Sequence, residues 1–166
     1  KRSESPGVVV VPILQGTRCI LTELQVLVTQ SFLTMPRRIV AGIDSNRLNL
    51  VIAVLEKHAG MKFYNRDVFS NVAGGLKLSE PGGDLGLAMA LAGSLNDRSI
   101  PIDMLVIGEV TLAGEIRPVG NLSRRITEGK RFGFKRFLIS DSAEISGKDG
   151  VIKVGNIREA IKAVFG

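Results

Sequence analysis

Gly108-Glu-Val-Thr-Leu-Ala-Gly-Glu-Ile-Arg-Pro-Val-Gly-Asn-Leu122 reads as a strand, a tight turn, a second short strand, a proline stop and the start of a helix. Gly114 falls where a two-strand turn requires positive φ. Pro118 lacks the N–H that would continue a ladder, and Gly120-Asn121 supplies a hinge followed by an N-cap.

Around this segment the chain order reads as α+β. Val8 to Leu14 is a continuous apolar run, as in a strand buried on both faces. Gly16 breaks it, and Cys19 to Val28 follows with near alternation, which predicts a hairpin. A third strand is expected over residues 37–43, after Pro36. Asp44 or Ser45 then caps a helix to about Ala59, with Leu48, Val51, Ile52, Leu55 and Ala59 as its inward stripe. Leu50 and Val54 lie on a second face, as core or as an oligomer contact. Further strands are expected at Val68–Val72, Met104–Val110 and Arg136–Ser140, and further helices at about Gly83–Leu95, 121–132 and Asn156–Phe165. The Gly83–Leu95 helix is apolar on almost every side and should be central, with Gly86, Ala90 and Gly93 admitting another backbone. Residues 141–155, with Gly147 and Gly150, read as an exposed hairpin or loop.

The chain has 166 residues, 45% hydrophobic and 23% charged, enough for one domain with a substantial core. Residues 1–7 are polar and read as a linker, leaving 8–166 as the domain, cut from a longer protein. Cys19 is the only cysteine, which excludes an internal disulfide and fits a reducing, cytoplasmic setting. No apolar run reaches the ~20 residues of a membrane span. Net charge is +6, and residues 117–136 hold seven basic side chains against Glu128 alone, a local excess equal to that of the whole chain. So concentrated a basic surface favours a polyanion, nucleic acid first; a solvated basic helix is the alternative.

The Gly108–Leu122 run resembles the proteolytic domain of Lon-type peptidases, in which it leads to a catalytic lysine that activates a serine. The resemblance implies a Lon proteolytic-domain-like fold of the ribosomal protein S5 domain 2 type, with mixed sheets packed with helices. Anchored on Gly86 and Met89, the serine position falls on Asp84, and counting from Gly108-Glu109 the lysine position falls on Arg125; a shift of two residues would give Gly82 instead. Arginine stays protonated and cannot act as general base, so the dyad reads as degenerate and no catalytic residue is assigned. Ser79 lies upstream and would be the first serine to check in a working peptidase. Two readings stay open for the pair. Asp84 and Arg125 form an ion pair across the old dyad site, or Asp84 is an N-cap and Arg125 reaches solvent.

Pro36-Arg37-Arg38, Gly42-Ile43-Asp44, Asn46-Arg47-Leu48, Asn71-Val72-Ala73-Gly74-Gly75 and Gly133-Phe134-Lys135-Arg136 together resemble the bacterial RadA (Sms) family of recombination proteins, from about Pro6 to Ser140. That resemblance implies a Lon-like domain of a hexameric, ATP-driven branch-migration motor in recombinational DNA repair. It also implies ATP, Mg and Zn held elsewhere in the longer protein, a recombinase as a candidate partner, and a Lon-like ring that supports assembly and DNA contact without peptide cleavage. The present chain has no phosphate loop and no cysteine pair for zinc, so no metal or cofactor is assigned to it; Gly74-Gly75 and Pro81-Gly82-Gly83 suit tight turns. His58 is expected near a helix C-terminus, as a mild dipole partner. The residues expected to contact single-stranded or branched DNA are Arg124, Lys130, Arg131, Lys135 and Arg136, with Arg37, Arg38 and Arg47 as a second cluster that could instead bridge subunits. With seven Phe, one Tyr and no Trp, mostly in apolar contexts, phosphate contact is expected to outweigh base stacking. A pure assembly scaffold without DNA contact is the third reading.

Overall fold

The N-terminal apolar run fixes the centre of the sheet. In the computed structural model, which describes residues 4–145 and 149–166, this run is β1 (Val8–Gln15), with its middle buried on both faces. Gly16 adopts φ of 60° in the turn, and β2 (Arg18–Gln30) returns antiparallel in a register running from Val8↔Gln25 to Gln15↔Arg18. The remaining strands are β3 (Arg38–Ala41), β4 (Arg66–Val72), β5 (Met104–Val106), β6 (Glu109–Val110), β7 (Ile116–Arg117), β8 (Arg136–Ser140) and β9 (Val151–Val154). Seven of them form one mixed sheet in the order β3-β4-β2-β1-β5-β8-β9, and β6 with β7 makes a separate antiparallel ribbon.

Strand alternation sorts the core into two layers. Val9, Val11 and Ile13 of β1 face one way, toward α1 (Ser45–Ala59), α2 (Asp84–Asn96) and α4 (Ile157–Phe165). Val10, Leu105, Ile107, Phe137 and Ile139 face the other way and meet Ile126 of α3 (Leu122–Arg131). Helix α2 is buried from Asp84 to Ser94. Its glycines allow that depth: a Cβ on Gly86 would come within 2.2 Å of Val11 Cγ1, and one on Gly93 within 2.7 Å of the Arg98 carbonyl oxygen. Ser94 Oγ accepts the Val28 N–H at 2.9 Å, a polar tie between helix and sheet.

The expected α+β architecture holds, with local corrections. Met104–Val110 is two strands because the chain leaves the sheet at Gly108, whose carbonyl accepts the Leu85 N–H and whose N–H donates to the Gly82 carbonyl. Val151–Val154, read as loop, is a parallel edge strand on β8, while residues 146–148 of that stretch lie outside the described residues. Asn121 sits at the N-cap position of α3 with φ of 60° and makes no side-chain cap. Asp44 is likewise placed at the N-cap of α1 without a side-chain hydrogen bond. Val54 joins the core and Leu50 is exposed. Residues 1–3 of the expected linker lie outside the described residues; Pro6 and Gly7 belong to the fold, bridging to Ser99 and accepting the Val26 N–H respectively. Among the described residues no helix is long and apolar enough to cross a membrane.

Candidate functional site

The β1 edge facing β5 sets the geometry of the region where the dyad positions are expected. β5 pairs with β1 only at Val10↔Leu105, so further along no strand among the described residues occupies that edge. Two side chains take its place. Arg125 Nη1 donates to the Pro12 carbonyl at 2.8 Å, and Glu80 Oε2 accepts the Leu14 N–H at 2.9 Å. The two close on each other, with Arg125 Nη1 2.5 Å from Glu80 Oε1, and Arg125 Nε donates to the Gly120 carbonyl at 2.9 Å. A guanidinium only 3% exposed needs that many acceptors.

Asp84 belongs to a different contact. Its buried carboxylate accepts from Arg47 Nε at 2.7 Å, from Arg47 Nη2 more closely still, and from the Val110 N–H at 3.2 Å. The hydrogen bond to Asp84 shifts the Arg47 guanidinium above its usual pKa, against the opposing effect of burial. Both sequence readings of the pair are therefore corrected. Asp84 and Arg125 do not pair with each other; each is held by a third residue 37 or 45 positions away, and Arg125 does not reach solvent. The position that faces Arg125 is Gly82. A Cβ there would lie 3.4 Å from Arg125 Nη1, 2.7 Å from Glu80 Oε1 and 2.9 Å from Val119 Cγ1. A guanidinium, a carboxylate and a glycine stand around this point, with no hydroxyl on residue 82. Ser79 is exposed in the loop before the Pro81–Gly83 turn. That loop does not fit a nucleotide phosphate or its magnesium-bound form as a phosphate loop would: its mouth carries the Glu80 carboxylate, and the Gly83 N–H is turned to the Glu80 carbonyl. Cys19 alone gives no thiolate pair for zinc.

The basic residues separate into three places. Arg124, Lys130 and Arg131 are exposed on α3, and Lys135 and Arg136 lead from it into β8. Arg131 makes a 3.3 Å pair with Glu128, Lys130 Nζ lies 5.9 Å from the Phe137 ring centroid, and Arg136 pairs with Asp103 at 2.5 Å. The Arg136 hydrogen bond holds the Asp103 carboxyl below its usual pKa. Arg37 and Arg38 sit at the far edge of the sheet. Arg37 pairs with Asp67 at 2.9 Å, and its side-chain and backbone hydrogen bonds hold that carboxyl down to about 2. Arg38 donates to the carbonyls of Arg66 and Phe63. Arg47, on α1, lies on the opposite face of the sheet from α3 and is committed to Asp84. His58 Nε2 lies 2.9 Å from the Leu112 carbonyl, and its ring packs under Gly114. Sequence reasoning missed Glu80, and it also missed that Phe132 stands 65% exposed beside the basic face rather than in an apolar context.

Residues 51–163 match the model of the Lon protease (S16) C-terminal proteolytic domain. The chain belongs to that family. It is 44% identical to the DNA repair protein RadA of Aquifex aeolicus over 99% of its own length and 37% of the relative's. It is 42% identical to RadA of Pseudomonas aeruginosa (96% and 36%) and 45% identical to that of Escherichia coli K12 (80% and 29%). The chain thus spans about a third of the length of the curated relatives it matches.

The Glu80–Arg125 pair predicts a specific stability loss. Arg125→Met leaves the Pro12 carbonyl and the Glu80 carboxylate without their partner and should cost about 3 kcal/mol in urea unfolding. Glu80→Gln, which retains an acceptor for the Leu14 N–H, should cost about 1 kcal/mol. Equal and negligible losses would show that the pair holds nothing.

Proposed function

We propose that this chain is a Lon-like domain that does not cut peptides and that binds DNA phosphates within a larger RadA-type repair protein, supporting its self-assembly during homologous recombination and branch migration. The observation that carries the reading is the contrast between two populations of basic side chains. Arg125, Arg47 and Arg37 are spent on carboxylates inside the fold, whereas Arg124, Lys130, Arg131 and Lys135 extend from α3 and the approach to β8 into solvent. Exposed cations gathered on α3 and just beyond its end form the electrostatic footprint of a phosphate-binding surface without base reading. The names of the relatives support the repair setting.

Against peptide cleavage stands the chemistry beside Gly82. A base there would have to lose its proton, and a carboxylate 2.5 Å away favours the charged form. Self-assembly, proposed here as a hexameric ring, has support only for association itself: Leu27, Phe32, Leu33, Met35 and Ile39, on and between β2 and β3, all face solvent. ATP, Mg and Zn chemistry, and any recombinase contact, would belong to other parts of the longer protein.

Neutralising Lys130, Arg131, Lys135 and Arg136 together should weaken DNA binding and flatten the dependence of log Kd on log salt by about 3. Unchanged affinity in a filter-binding series would remove the basic face from the account. The double variant Gly82→Ser, Arg125→Lys should remain unlabelled by a serine-reactive phosphonate, because Glu80 keeps the new lysine charged; labelling would reverse that conclusion.

A further inference from the structure

The β1–β2 hairpin and α3 enclose a cleft of about 780 Å³. Its floor is apolar, made by Val10, Leu21 and Phe134. Arg18 at the hairpin tip and Arg124 on α3 both line it, both exposed and without an ion pair to a described carboxylate. Phe132 stands at the same cleft with Arg131 5.8 Å from its ring centroid. Cys19 adds no negative charge, since burial pushes its thiol pKa upward.

We propose that this cleft holds one nucleotide unit of a single strand, with its base stacked on Phe132 and its phosphate on Arg18 and Arg124. The proposal rests on the DNA-binding reading above and narrows it to a site. Planar guanidiniums match phosphate oxygens in paired fashion, and an exposed aromatic ring accepts any base face. The other polyanion to consider is an acidic peptide. Glu23 and Glu128 also line the cleft and would repel carboxylates spread along such a peptide. A nucleotide carries its charge at one end, and a base N–H, thymine N3–H included, can donate to a carboxylate.

The chain contains no tryptophan, so Phe132→Trp places a single reporter in the cleft. Titration of that 166-residue variant with oligothymidylate should give saturable quenching, and the additional changes Arg18→Ala and Arg124→Ala should shift its midpoint to higher concentration. An abasic oligonucleotide with the same number of phosphates should quench far less. In the otherwise unaltered chain, Phe132→Ala should weaken oligothymidylate binding about tenfold by anisotropy. Binding by anisotropy with no quenching, and equal affinity for the abasic strand, would overturn the cleft site while leaving the basic surface intact. No binding of either strand at low salt would overturn both readings. Quenching by polyglutamate but not by oligothymidylate would assign the cleft to an acidic protein segment and overturn the nucleotide.

Discussion

The contact between Glu80 and Arg125 joins three segments that are far apart in sequence: the bare edge of β1, the turn that opens α2, and the first turn of α3. Each side chain satisfies a main-chain group of β1 that no strand among the described residues reaches, so the pair stands in for a piece of ladder. Removing one partner would expose a buried charge as well as an orphaned peptide group, which is why such pairs resist piecemeal loss. The position of α3 over the sheet, and therefore the placement of its charged outer face, depends on this anchor.

The proposed absence of peptide cleavage turns on the same contact. A fold does not by itself fix a function, which lives in a small site built on it. Here the point facing α3's buried arginine is a glycine whose Cβ direction leads into a carboxylate and a valine. The proposed trade is catalytic polarity for a permanent ion pair that stiffens the frame, while the solvent side of the same helix takes up the contact role.

Much of the frame was legible because it depends on local pattern. The unbroken apolar run of β1, the alternation of β2 and the all-round apolar α2 declared themselves through periodicity, and Gly114 takes φ of 80° in the expected turn. β9 escaped because four residues between Gly150 and Gly155 carry no clear period, and their strand character comes from the parallel neighbour β8. The break at Gly108 escaped because it is decided by two hydrogen bonds to the α2 entrance. Charge pairing was least readable. Arg47 reads in the sequence as a surface cation and Glu80 as an unremarked residue, and only the tertiary fold brings them to Asp84 and Arg125. The same holds for Phe132, whose neighbours Phe134 and Phe137 are buried while it faces water.

The candidate DNA residues also divide by environment rather than by type. Arg37 lies beside a carboxylate whose pKa it lowers, and Arg47 donates from both Nε and Nη2 to Asp84; Arg124 makes no ion pair with a described carboxylate. The most direct measurement is therefore amide NMR of the labelled chain titrated with a short single strand at low salt. Shifts are expected to concentrate in the β1–β2 turn, along α3 and at the start of β8, with residues 37–41 and α1 unmoved. Shifts centred on β3 and α1, or none anywhere, would contradict that placement.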